Sequence, residues 1–242
     1  MENYALNKNQ LLALLKKDGL FPLTGMNDGF LMDVDDLEAG AAGTIVGWQE
    51  MVKTLAAPIT VVRVIHHLDR DNKGAEIYFY VSEDDIVEVK TTDSETYTLK
   101  TITDAETMLR DVAKLLPLEV YPDAVDLKAT VAHEDLTEIT AFVDSHEFNP
   151  IVQIFEAGGM DQMTAQMLLD AVNSPAWYGS IDFLYIIDNE VKTTRRAVIL
   201  QGTQGFAWIA WPIQPDSESF IVETATETAV NNIIDEFWLL AG

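Results

Sequence analysis

One order of elements is written twice in this chain, and nothing else in it constrains the fold as tightly. From position 46 the text reads VGWQEMVKTLAAP, then strand-like ITVVRVIHH, AEIYFYV, DIVEVKTT and TYTLKTI, then the helical DAETMLRDVAKLLPL. From position 163 it reads MTAQMLLDAVNSP, then GSIDFLYII, RRAVILQG, GFAWIAWPI and SFIVETA, then TETAVNNIIDEFWLL. Each copy runs helix, proline, about four strands, helix. Met51, Val52, Leu55 and Pro58 fall opposite Leu168, Leu169, Val172 and Pro175, and Met108, Val112, Leu115 and Leu116 fall opposite Val230, Ile234, Phe237 and Trp238. The offset moves only from 117 to 122 residues, a drift that one hairpin of different length absorbs. Identity between the copies is very low, so what repeats is the order of elements. The expectation is an α+β fold of two pseudo-symmetric halves, each helix–antiparallel strands–helix, sharing or packing a central, mainly antiparallel sheet. The halves divide as 1–118 and 119–242 within one domain, because no low-complexity tract or linker separates them.

Charge narrows the partners. The chain carries 40 acidic against 15 basic residues, a formal net charge of −25. Nucleic-acid affinity comes largely from Lys and Arg neutralising phosphates, so that balance argues against nucleic acid and equally against an anionic membrane surface. It favours solubility and a partner with basic or polar surface, while saying nothing of fold. With 48% apolar and 9% aromatic residues the chain can bury a sizeable core. There is no cysteine, which removes disulfides, zinc–thiolate sites and thiol catalysis together. The N-terminal text has too short and too interrupted an apolar run for a signal sequence, and no stretch approaches a membrane span, so the expected setting is cytoplasmic.

Local signals place the elements. A wide stripe of Leu11, Leu12, Leu14 and Leu15 predicts a helix over 7–17, capped by Asn7 or Asn9, with Lys16 and Lys17 at its negative end and Gly19 as the left-handed stop. Pro58 ends the next helix, since the residue before proline leaves the α region. The nearly unbroken apolar run 59–65 predicts a strand buried on both faces. Ile86, Glu88 and Lys90 alternating with Val87 and Val89 predict a strand with one wetter face. The helix that follows is capped by Thr103 or Asp104, with Glu106 placed for a capping box. The text over 118–131 fits a connector, a short strand plus a helix, or both. Three helices follow over 134–143, 149–156 and 161–172, with Gly158-Gly159 between the last two.

Motifs for chemistry are missing. Neither GxxxxGK[ST], GxGxxG nor G-x-S-x-G occurs, and the GTQG of 202–205 lies between strands rather than at a helix N-terminus. Asp33, Asp35 and Asp36 lack EF-hand spacing, and the D-x-D-x-x-G of 69–74 places Tyr80 where the bidentate glutamate belongs. Adjacent His66 and His67 point to opposite faces of a strand end, so one metal cannot take both without a bulge, and they read as solvated turn histidines. Trp208 and Trp211 lie on opposite sides of a strand and read first as core packing. The expectation is a binding protein with no catalytic residue, no metal and no cofactor.

The order helix, loop, helix-Pro, antiparallel strands, helix, repeated once, resembles the EspG family of type VII secretion-associated chaperones and their Firmicutes counterparts. The residues carrying the likeness are VGWQEMVKTLAAPITVVRVI with its hairpins and DAETMLRDVAKLLPL, then RRAVILQGTQGFAWIAWPI and TETAVNNIIDEFWLL. The resemblance implies a cytosolic protein that binds the helical tip of a secreted substrate, shields its apolar end and keeps it soluble until export. It implies contacts from the central sheet, from a hairpin of the first half and from helices of the second. The hairpin falls on Leu68, Asp69, Arg70, Asp71, Asn72 and Lys73, and the helical region spans 151–172. There Phe155, Met160, Met163 and Met167 offer an adaptable apolar surface, although methionines at that spacing also serve as plain core. Charge alone supports a rival, an acidic immunity or inhibitor protein that plugs the basic active site of a toxin.

Overall fold

Pro58 and Pro175 each stop a helix and launch a strand. The computed structural model describes residues 4–20, 22–26, 47–67, 73–91, 96–102, 104–116, 127–203, 207–213 and 218–239. The first half runs β1 (Tyr4–Asn7), α1 (Lys8–Lys17), α2 (Trp48–Ala56), β2 (Thr60–His67), β3 (Lys73–Val81), β4 (Ile86–Thr91), β5 (Thr96–Ile102) and α3 (Ala105–Leu115). The second runs β6 (Lys128–Ala132), α4 (His133–Ser145), α5 (Phe148–Ala157), α6 (Gln162–Asn173), β7 (Pro175–Ile187), β8 (Glu190–Gly202), β9 (Ala207–Pro212), β10 (Ser219–Thr224) and α7 (Glu227–Leu239).

The ten strands among the described residues form one sheet, in the order β1-β5-β4-β3-β2-β7-β8-β9-β10-β6. Every neighbouring pair is antiparallel. The order is symmetric about its middle: each half contributes a hairpin series flanked on the outside by one short strand. The join is β2 on β7, in register from Thr60 opposite Tyr185 to His67 opposite Tyr178. The fold is therefore the expected α+β platform. The boundary at 118/119 lies outside the described residues, as do Asp33, Asp35, Asp36 and most of 118–131; within that last stretch β6 is the short strand.

The strand period of two sorts side chains onto two layers. On one face Val62, Val64, Ile77, Phe79, Ile181, Phe183, Ile199 and Ile209 pack beneath α3 and α7, whose Met108, Val112, Val230, Ile233 and Ile234 meet them. On the other face α1 and α2 cover the first half, setting Leu11, Leu12, Leu15, Trp48, Met51 and Leu55 on Val61, Tyr78, Tyr80, Val87 and Leu99. The second half of that face is covered by α4, α5 and α6 over Val131, Trp208 and Val222. Each such buried side chain contributes about 1.5–3 kcal/mol of transfer free energy. No helix among the described residues is long and apolar enough to cross a membrane.

Local expectations fare unevenly. Asn7 caps α1 in a full capping box with Gln10, and Gly19 adopts φ 71° behind it. At α3 the cap is Asp104, whose side chain accepts from the Thr107 amide at 2.7 Å; Thr107, not Glu106, stands three residues on, so the expected box does not form. The wetter face of β4 is corrected as well: Glu88 is buried and paired with Lys100, which stands directly opposite it on β5 and is shared with Asp111 of α3. Lys100 Nζ lies 3.1 Å from Glu88 Oε2 and 2.5 Å from Asp111 Oδ2. Burial pushes the Glu88 carboxyl up, with Lys100 opposing the shift. His66 and His67 are not turn residues but the last two of β2. They do point oppositely, His66 edge-on to Trp177 and His67 stacked on Tyr178.

Candidate functional site

Three of the strands that meet at the middle of the sheet each carry a charge where their neighbours on the same face are mostly apolar or small. Arg63 interrupts the apolar run of β2, Asp182 interrupts that of β7, and Arg196 lies on β8. The registers put Arg63 opposite Asp182 and Asp182 opposite Arg196, so the three stand in one row. That row is on the face carrying α1, α2 and α4–α6, since Val61 and Leu184, two residues away on the same strands, pack beneath α1 and α2.

The geometry is that of a closed ion triad. Arg196 Nε donates to Asp182 Oδ1 at 2.7 Å and its Nη2 to Oδ2 at 3.2 Å. Arg63 Nε donates to Oδ2 at 3.0 Å, and Arg63 Nη2 also donates to Oδ2. The side chain of Asp182 is fully buried, that of Arg63 is 16% exposed and that of Arg196 is 54% exposed. A carboxylate taken out of water is tolerated only when its lone pairs are met, and charge-assisted bonds to guanidinium forks meet them well. Burial works against the charge on Arg63, but the Asp182 carboxylate outweighs it and holds the guanidinium above its ordinary value. A second carboxylate stands close by: Glu76 lies opposite Ile65 on β3, accepts from the Tyr78 hydroxyl at 2.6 Å and also favours the Arg63 cation.

Around the triad the same face stays partly open. Ile65 is opposite Ser180, Ser180 opposite Val198, and His67 opposite Tyr178. Ile65, Ser180 and Tyr178 are half-buried, and Val198 is 36% exposed. The His67 and Tyr178 rings stack with centroids 4.4 Å apart, where β2 turns towards β3. Walls stand at both ends. A Cβ on Gly202 of β8 would meet Ala171 of α6 at 3.2 Å, so that helix sits close on the strand. At the other end Gly25, at φ 77°, lets 22–26 press on Val61 and Leu184, beside a groove of about 520 Å³ that Leu55 and Val191 help to line. From β2 to β8 is two strand spacings, about 10 Å, which is about the diameter of one α-helix.

The residues expected from the sequence are only partly brought to this face. Leu68, Asp69, Arg70, Asp71 and Asn72 lie outside the described residues; Lys73 opens β3, its backbone opposite His67. Phe155 and Met160 are corrected: both are core, 1% and 6% exposed, packed with Trp208 and Leu168. The reason is the tight turn after α5, where Gly159 at φ 111° lets the Met160 amide bond Phe155 O and carries Met160 inward. Met167 is half-buried against the same cluster, and Met163 alone of the four stands well out, 73% exposed in the first turn of α6. Trp208 and Trp211 are buried on opposite faces, as their spacing requires. Arg63, Asp182 and Arg196 were not singled out by sequence, although a lone charge in each of two apolar strands was the available signal.

Fold and stripe together define a class: a helix-flanked antiparallel platform with a polar clasp at its centre. Among solved structures the same platform occurs in the Mycobacterium tuberculosis type VII secretion system chaperone EspG5, determined in complex with the PE25–PPE41 dimer. The likeness has a TM-score of 0.64 at 16% identity and covers 95% of this chain and 93% of that one. At that identity it is a likeness of fold. No family model matches the sequence, and no curated protein matches it.

Proposed function

We propose that this protein is a cytosolic chaperone or adaptor that binds a helical substrate of a type VII-like secretion system and keeps it soluble for export. The observation that carries the reading is the agreement of fold with EspG5 over nearly the whole of both chains. The stripe supports it physically, because a floor about one helix wide, mixed polar and apolar, suits a helix end that must be shielded without being locked in place. In this reading residues 68–73 and the exposed Met163 contact the substrate, while Phe155 and Met160 pack with Leu168 of α6. No catalytic step is assigned to any residue. The two halves, 1–118 and 119–242, are read as copies of one ancestral module.

The test is co-expression with small helical secreted proteins encoded beside it, followed by gel filtration. The expected result is a substrate that is insoluble alone and co-elutes with this protein at fixed stoichiometry. Substrates that gain no solubility and elute apart refute the reading, as does unchanged export after deletion of the gene. The formal charge of −25 favours a second reading, an immunity or inhibitor protein for a basic toxin. Protection against such a toxin, with helical substrates left unbound, replaces the first reading by the second.

A further inference from the structure

We propose that this protein pairs with a second copy of itself, strand on strand, through the outer edge of β8 at Val191. The inference is independent of the docking reading above. It begins with a hairpin that outruns its neighbours. β7 and β8 are 13 residues each and turn over through Asp188-Asn189, both at positive φ as a tight two-residue turn requires. On one side β2 follows β7 in register only as far as Thr60, opposite Tyr185. On the other side β9 meets β8 only from Val198 to Gln201. Residues 190–195 of β8 therefore have no strand on their far side among the described residues, and Glu190 to Thr194 are all exposed. Ile187 and Val191, at the end of this arm, are 58% and 42% exposed. An edge of this kind presents backbone donors and acceptors to one more strand.

Charge then decides which strand fits. The register passes from Tyr185 opposite Thr193 to Ile186 opposite Val191, which leaves Lys192 as an extra residue on β8. A bulge carrying a lysine turns most strands away. The text Glu190-Val191-Lys192 is its own complement. Laid antiparallel on itself about Val191, it sets each Glu190 opposite Lys192 of the second copy, and Val191 on Val191. Centring the pair on Lys192 instead would set like charges face to face, which is unfavourable. Within one chain Glu190 and Lys192 already form an ion pair, with side chains 72% and 43% exposed, so exchanging partners is cheap. Other faces repel a second copy, because each chain carries a formal −25. Over 129–242 the sole Lys and Arg residues are Lys192, Arg195 and Arg196, all on β8. So narrow a strip falls in the class of interfaces under about 1,200 Å², so the dimer is transient. Because β2 and β7 are antiparallel, the β7–β8 turn lies at the opposite end of the sheet from His67. Pairing there leaves the His67–Tyr178 end of the stripe open on both copies.

The experiment is sedimentation velocity on the full chain from about 5 to 500 μM, with charge swaps at the two exposed positions. The expected result is a monomer that passes to a dimer as concentration rises. E190K sets Lys opposite Lys and K192E sets Glu opposite Glu, twice per dimer, so each weakens association by about tenfold. The double variant E190K/K192E restores the complement and dimerises like wild type. An equimolar mixture of E190K with K192E restores it as well, as a mixed dimer. Both side chains are exposed, so the swaps leave the fold intact, which urea unfolding checks. A wild-type chain that stays monomeric throughout overturns the inference and leaves the edge to a strand of another protein. A dimer indifferent to the single swaps, or single variants that neither the double variant nor the mixture rescues, overturns it too.

Discussion

Replacing Asp182 by Asn isolates the charge of the clasp from its shape. The amide has the same volume and keeps one acceptor, so packing beside Val61 and Leu184 is preserved while both guanidiniums lose the Asp182 charge, with Glu76 still acting on Arg63. Arg196, about half exposed, can turn its head into water and loses little. Arg63 cannot, at 16% exposure, and carries most of the cost. Removing one partner of a buried pair costs about 3–5 kcal/mol, and the residual solvent access of Arg63 sets the expectation at the lower end, about 3 kcal/mol. For a chain of 242 residues that corresponds to a fall in Tm of about 6–12 °C. Urea unfolding followed by tryptophan fluorescence should show a lower midpoint with an unchanged slope. The control is the triple variant R63M/D182L/R196M, which removes the three charges of the triad at similar volume and should return to within about 1 kcal/mol of wild type. A single variant within about 0.5 kcal/mol of wild type, or a triple variant as unstable as the single, refutes the reasoning.

Three further substitutions probe other statements. K100M leaves buried Glu88 without its cation, at an expected cost of about 2–4 kcal/mol near neutral pH. The sign of its pH dependence follows from Glu88: burial raises the folded carboxyl above its ordinary range, so the stability of its protonated form is held at low pH and lost as pH rises through the raised value. The K100M penalty measured by thermal unfolding should therefore be smaller near about pH 5 than near about pH 8, and a penalty independent of pH counts against burial of the charge. F155A should cost about 3–5 kcal/mol in urea unfolding, as for a core phenylalanine, whereas a surface contact would cost under about 1 kcal/mol. G25A places a Cβ at 2.8 Å from Leu184 Cδ1 on a backbone at φ 77°, so it should destabilise by about 1–3 kcal/mol, and a neutral result would mean that 22–26 does not press on the sheet.

Much of the architecture was legible because it is written in local patterns. Prolines two residues beyond α2 and α6, the leucine stripe of α1 with its Asn7 cap, and the turn at Asp188-Asn189, both at positive φ, are decided within a few residues of chain. Burial of Glu88 was not legible, because its partner Lys100 on β5 is shared with Asp111 of α3, a helix the strand pattern knows nothing of. The burial of Phe155 and Met160 was not legible either, since the turn at Gly159, not any helical period, carries Met160 inward. The clasp was the least legible of all. Arg63 and Asp182 are 119 residues apart, and the pairing of β2 with β7 that unites them leaves no periodicity in either strand.

That pairing has a consequence for how the two halves find each other. Strands as apolar as β2 and β7 could slide by one position and still match oil to oil. Such a slip would send Asp182 into the layer beneath α3 and α7 while Arg63 stayed behind, stranding an ion among Val62, Phe183 and Ile199. The salt-linked row thus works as a key cut for one alignment: it tolerates the correct seam and ejects its nearest counterfeit.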